Sequence, residues 1–120
     1  MMRPGLRLLL RTDYVDRHWG DPDFWQKPPY LAPSAADWLV EKGAALVGLD
    51  FLTEEPGDRA FPVHRRLLEA GVPILEYLRN LSALTGPIVW LMAAPVLVAG
   101  AEAAPVRALA IEGGGPHGNI

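Results

Sequence analysis

Cysteine is absent from the chain, which excludes disulfides and thiolate metal sites at once. Any metal here must be held by His, Asp or Glu, a donor set that suits zinc or manganese. The absence also fits a reducing, cytoplasmic location. A basic surplus is lacking as well: 11 Lys and Arg stand against 14 Asp and Glu, a net charge of −3, so nucleic acid is not an expected partner. Long apolar runs are missing too. The longest, PIVWLMAAPVLVAG at 87–100, carries Pro95 near its middle and is too short to cross a bilayer. The leucine-rich start, MMRPGLRLLLRTDY, is interrupted by Arg7 and Arg11 with no small-residue cleavage site after it, so it does not read as a targeting segment. Neither a membrane span nor a leader is expected.

What is present is an ordinary globular balance, 50% hydrophobic and 21% charged over 120 residues, enough for one domain and not two. LRLLL (6–10), ALVGLD (45–50) and VPILE (72–76) are short apolar runs of strand length, and the first reads as a strand buried on both faces. Between them lie helical patterns. Residues 35–42 follow a capping-box variant at Ser34–Asp37, with Gly43 placed to end the helix. A second helix covers 62–70, with Val63, Leu67 and Leu68 on one stripe and Gly71 behind them. Trp38, at helical spacing, reads as core. Residues 13–33, broken by Pro22, Pro28, Pro29 and Pro33, form a long loop that carries Trp19, Trp25 and Tyr30; such loops cover or build something, here either a pocket wall or a packing layer. After Gly86 the runs 87–99 and 105–111 have no helix between them and read as antiparallel strands, with Trp90 buried and Pro95 at a bulge, an edge or a break. The tail GGGPHGNI is expected to fray. The predicted fold class is α/β, a mixed sheet with flanking helices, over residues 1–112 with a flexible tail at 113–120.

One spacing raises a chemical question. His64 precedes Glu76 by twelve positions in VHRRLLEAGVPILEYLRNL. The helix from His64 to Gly71 climbs roughly 10 Å and the strand from Pro73 to Glu76 returns roughly 10 Å, so the two side chains end at one level. Asp50, at the exit of the preceding strand, reaches the same end if the strands are parallel, where clefts of open parallel sheets lie. The three residues can therefore converge on a site. On the residues alone the favoured reading is a solvated helix histidine and carboxylates that are solvated or paired with arginines such as Arg79 or Arg107. A catalytic zinc site wants three protein ligands and an open position. His18, in the loop, and His117, in the tail, are not assigned to it.

The ordered set LLLRTDY (8–14), PYLAPSAADWLVEKGAALVGLD (29–50), VHRRLLEAGVPILEYLRNL (63–81) and APVRALAI (104–111) resembles the C-terminal half of the metal-dependent cyclase hydrolases, the family of bacterial kynurenine formamidase and isatin hydrolase. The resemblance implies the swivelling β/β/α domain of that family, dimers or tetramers, and two zinc or manganese ions that activate water for hydrolysis of an amide-type C–N bond in a small molecule. It implies metal-ligand roles for His64 and Glu76. Asp50 falls on the family's Gly-x-Asp strand end, with a supporting role, and Arg107 would hold Glu76 or Asp50 in place. The family's other ligands come from an H-x-G-T-H-x-D-x-P-x-H motif that this chain lacks, so no catalytic residue is assigned. The expected partner is a complementing N-terminal half or a second copy. The family's Arg-Thr-Gly reads Arg11-Thr12-Asp13, and a commonly small polar position is Phe51. The alternatives are a non-catalytic remnant serving as a binding or interaction module, and a plain α/β domain in which His64 and Glu76 are unrelated.

Overall fold

The computed structural model describes residues 4–113. Its elements run β1 (Arg7–Leu10), α1 (Tyr14–His18), α2 (Pro33–Glu41), β2 (Leu46–Leu49), α3 (Pro62–Glu69), β3 (Ile74–Leu75), a 3-10 turn (Leu81–Ala83), β4 (Trp90–Pro95) and β5 (Val106–Ile111). The chain divides between Leu81 and Ser82 into two compact units. The mixed α/β class holds: β1, β2 and β3 form a parallel sheet in that order, and β4 pairs with β5 antiparallel.

In the first unit β2 is central, and its period of two sorts its residues. Val47 and Leu49, both fully buried, face a core shared with Ala36 and Leu39 of α2 and Val63 and Leu67 of α3. Burying side chains of this size contributes about 1.5–3 kcal/mol each. Gly48 points to the other face, where a Cβ would meet Leu9 and Leu78 at 2.7 and 2.8 Å; the missing side chain is what lets those leucines close over the sheet. Arg66 of α3 pairs with Asp37 of α2 at 2.6 Å.

Both long helices end alike. Gly71 sits at φ +73°, its N–H donates to the Leu68 carbonyl, and the Val72 N–H reaches back to that of Leu67. This Schellman arrangement satisfies the orphan carbonyls and turns the chain directly into β3. Gly43 does the same for α2 through Val40 and Leu39.

Several details differ from the sequence expectations. β1 is an edge strand in the described sheet and is only half-buried, so its leucine run does not mean two covered faces. The 72–76 strand contracts to two residues. Helix α2 begins at Pro33 with Ala32 as N-cap and no side-chain cap; the capping box does not form. Trp38 is 47% exposed, because the buried stripe of α2 is Ala36 and Leu39. The long loop contains α1 and is knit by aromatic contacts of Phe24 with Tyr14, Trp19 and Trp25.

In the second unit the ribbon runs in register from Trp90 opposite Ile111 to Pro95 opposite Val106. Pro95 closes β4, where its missing N–H costs no central ladder bond. The Glu112 carboxylate accepts the N–H groups of Thr85 and Gly86 and the Thr85 hydroxyl, tying the end of β5 to the segment before β4. Trp90, read as core from the sequence, is 36% exposed, and Met92, Leu109 and Ile111 are exposed beside it. A two-stranded ribbon has too little surface to bury its own side chains. The tail expectation falls on residues 114–120, outside the described range. No described helix is long and apolar enough to cross a membrane.

Candidate functional site

The site lies where the parallel strands of the first unit end. The chain leaves β2 through Asp50 into the segment 51–61, turns into α3 at Pro62, and returns through β3 to Glu76. His64, in the first turn of α3, thereby meets Glu76: Nε2 of His64 lies 3.3 Å from Oε1 of Glu76.

The other face of the imidazole explains its orientation. Nδ1 of His64 lies 3.0 Å from Oε1 of Glu54, which also accepts the His64 backbone N–H at 2.7 Å, while Oε2 accepts that of Val63 at 3.3 Å. A carboxylate only accepts, so a proton on Nδ1 is donated to Glu54, while Nε2 faces the second carboxylate, Glu76. Glu54 is 9% exposed. Sequence reasoning passed over it, yet a signal exists. Phe61, the N-cap of α3, has no capping side chain and stands at φ 51°, so the first-turn N–H groups need an acceptor from elsewhere, and the acidic segment just upstream supplies one.

Glu76 Oε1 also accepts the hydroxyl of buried Thr53 at 2.5 Å. Tyr77, the next residue, has φ 55°. Left-handed backbone in a bulky residue costs on the order of 1–3 kcal/mol and gathers at sites whose surroundings enforce it. Phe61 and Tyr77 thus flank the pair with constrained backbone, and the Phe61 ring stands edge-on to His64 at 5.9 Å between centroids. A cleft of about 470 Å³ opens over the pair, walled by Trp25, Leu52, Arg59, Phe61 and Tyr77. Trp25 reaches it from the long loop and contacts Tyr77 at 6.1 Å between centroids, so the loop both packs and lines. Burial, and secondarily the charge of Glu76, push the Tyr77 phenol above its ordinary range; it stays a neutral hydroxyl at the cleft wall.

Asp50 does not face the pair. Its carboxylate is fully buried and accepts the N–H of Thr12 at 2.7 Å, the Thr12 hydroxyl at 2.9 Å and the N–H of Asp13 at 2.7 Å. It ties the exit of β1 to the exit of β2. Arg107 stands in β5 opposite Ala94, in the second unit, and the site is built from the first unit. His18 pairs with Asp21 at 3.0 Å in the loop; His117 lies outside the described residues. Phe51 is buried in the main core and does not line the cleft. Asp13 takes φ 63°, which accounts for glycine at that family position. Aspartate is among the few other residues that tolerate it, and here its carboxylate pairs with Arg11 at 2.6 Å.

Whether the pair suits a metal can be judged from its donors. A neutral imidazole lone pair facing a carboxylate oxygen is repulsive unless a cation or proton lies between them. An imidazole nitrogen and a carboxylate oxygen 3.3 Å apart are donor types that zinc or manganese takes. The carboxylate on the far ring nitrogen is the usual support of a metal-binding histidine. Two donors therefore fit. Among the described residues no group of three His, Asp or Glu side chains is placed to hold a metal ion.

Fold and donors together define an α/β chain with a His–Glu pair where its parallel strands end. The profile of the family described as "Putative cyclase" matches residues 1–56. Kynurenine formamidase of Bacillus cereus is 34% identical over 104 residues, covering 86% of this chain and 48% of that protein; the Bordetella petrii protein of the same name is 33% identical over 105 residues with the same coverage. A solved structure described as a potential metal-dependent hydrolase with cyclase activity superposes with a TM-score of 0.75 at 31% identity, covering 90% of this chain and 51% of that one. A predicted metal-dependent hydrolase from Bacillus stearothermophilus gives 0.74 and 31%, over 90% and 50%. The chain is thus similar to proteins of the cyclase family. It spans about half the length of the curated relatives it matches.

Proposed function

We propose that the chain contributes two ligands, His64 and Glu76, to the divalent-metal centre of a cyclase-type hydrolase that cleaves an amide-type C–N bond in a small molecule such as an aryl formamide. The observation that carries this is the 3.3 Å approach of His64 Nε2 to Glu76 Oε1 with the opposite ring nitrogen held by Glu54. Zinc or manganese bound there supplies Lewis acidity toward water and a carbonyl oxygen. The chain's own residues do the rest: His64 and Glu76 present donors, Thr53 orients the Glu76 carboxylate, and Trp25, Phe61 and Tyr77 offer an apolar wall to a flat substrate. The remaining ligands come from outside the described residues, from a complementing polypeptide that carries the H-x-G-T-H-x-D motif or from another copy, in the cytosol. The shortfall in ligands favours one other reading, a family member retained as a binding module.

The test is metal content by elemental analysis, for the chain alone and mixed with an N-terminal half of a relative, with His64→Ala and Glu76→Ala in parallel and hydrolysis of an aryl formamide as the second readout. Metal retained by the mixture and lost in both variants is the expected result, together with association of the two halves by light scattering. A mixture that associates but binds no metal would leave the binding module as the reading.

A further inference from the structure

We propose that Glu54 is the positioning residue of this centre: it fixes the tautomer and ring orientation of His64, so that Nε2 is presented as a lone pair toward Glu76. Three contacts converge on one buried carboxylate. Oε1 takes both the backbone N–H and the ring Nδ1–H of His64, and Oε2 takes the N–H of Val63. Backbone and ring of the same residue are gripped by the same oxygen, which sets the ring's direction relative to the helix that carries it. The edge-on Phe61 ring stands beside the imidazole, and its side chain offers no competing cap. Glu54 is thus both the substitute cap of α3 and the anchor of the imidazole, so the start of the helix and the aim of Nε2 are set together. Its two oxygens are engaged by three donors of Val63 and His64.

The tautomer rests on Glu54, 3.0 Å from Nδ1, prevailing over Glu76, 3.3 Å from Nε2, for the imidazole proton, whereas the consequence for metal binding rests on the ligand assignment above. The experiment therefore has separate arms. In the metal-free chain, at a pH where imidazole is neutral, the ring ¹⁵N shifts of His64 should report the Nδ1–H tautomer, the minor one for histidine in water. Glu54→Gln, with its amide oxygen at the Oε1 position, can still accept both donors of His64 and should keep that tautomer. Glu54→Ala should release it toward Nε2–H. In zinc titrations of the chain completed by an N-terminal half, Glu54→Ala should weaken binding about 10–100-fold, with Glu54→Gln recovering most of the loss. Nε2–H in the unsubstituted chain overturns the proposal, whatever zinc does, and needs no variant to fold. An Nδ1–H tautomer lost in Glu54→Ala, in a completed chain that binds no zinc, sustains the role of Glu54 and overturns the ligand assignment instead. A folded Glu54→Ala that keeps the Nδ1–H tautomer reduces Glu54 to a helix cap.

Discussion

Asp50 offers the sharpest test of what a strand-end acid does in this fold. If it supported the metal ligands, removing its charge would be felt at the site; the geometry instead makes it a clamp between β1 and β2. Its carboxylate takes two backbone N–H groups and one hydroxyl, all at 2.7–2.9 Å, from Thr12 and Asp13. Hydrogen bonds to a charged group contribute about 1.5–3 kcal/mol each, and because the three share one acceptor they do not add in full. Asp50→Ala is expected to cost about 3–5 kcal/mol. Asp50→Asn, which turns an amide N–H against a backbone donor, should cost about 2–3 kcal/mol. Thr12→Val, which removes only the hydroxyl, should cost about 1–1.5 kcal/mol. In a unit of this size each kcal/mol moves the melting temperature by roughly 4–8 °C, so the Asn variant should melt roughly 8–24 °C early. Urea titration followed by tryptophan fluorescence reports this well, since Trp19, Trp25 and Trp38 all lie in the first unit. Under conditions where Asp50→Asn is folded, the His64 tautomer should be unchanged. Asp50→Asn and Thr12→Val both within about 0.5 kcal/mol of the parent, the range of ordinary surface substitutions, would refute the clamp.

Two further outcomes are expected. The Glu112 carboxylate is held below its ordinary value of 4.5, first by the N–H of Gly86 and then by that of Thr85. A depressed carboxylate adds stability above its unfolded value and loses it as the pH falls through the folded one. Amide exchange at Thr85 and Gly86 should therefore quicken as the pH drops below about 4.5, beyond the intrinsic rate, and Glu112→Gln should abolish that dependence. At Asp13, whose backbone is left-handed, Asp13→Ala should be less stable than Asp13→Gly by about 1 kcal/mol, because both lose the Arg11 pair and only alanine keeps the strain; equal stabilities in a thermal melt would contradict this.

The parallel β-α-β core was legible because its signals are local. Apolar runs of strand length, a helical stripe through Val63 and Leu67, and glycines at 43 and 71 each act within a few residues; the departures are Leu68, expected on that stripe but exposed, and the 72–76 strand, which shortens to two residues. Burial was less legible because it depends on what packs against an element. Trp38 and Trp90 are apolar, but one lies off the buried stripe of α2 and the other on a ribbon with no described layer over it. For the site, rise per residue was enough to bring His64 level with Glu76, since both arms are regular. It could not show where the Asp50 carboxylate turns, because a strand end leaves the side chain free to bond backwards to β1 as readily as forwards to the cleft. Glu54 was missed for a related reason. Its partners are backbone N–H groups and a ring nitrogen ten residues away, and a contact across an irregular segment has no periodicity to betray it.

Among the carboxylates at this end of the sheet, solvent exposure separates the roles of three: Asp50, Glu54 and Glu76. Asp50 is fully buried and has three donors on it; Glu54, nearly buried, also has three. An ionised carboxylate in such surroundings persists because the protein has replaced its hydration shell with N–H and O–H groups, and those bonds occupy the oxygens an ion would need. The Glu76 side chain is 34% exposed, takes one protein donor from Thr53, and so keeps lone pairs to offer. A strand-end or loop acid in a chain of this kind is thus a tie when the backbone saturates it, and a ligand when one donor steers it and the cleft leaves the rest open. By that criterion Glu76 is the one acid of the three suited to receive a cation, and the two buried ones hold in place the backbone and the imidazole that it faces.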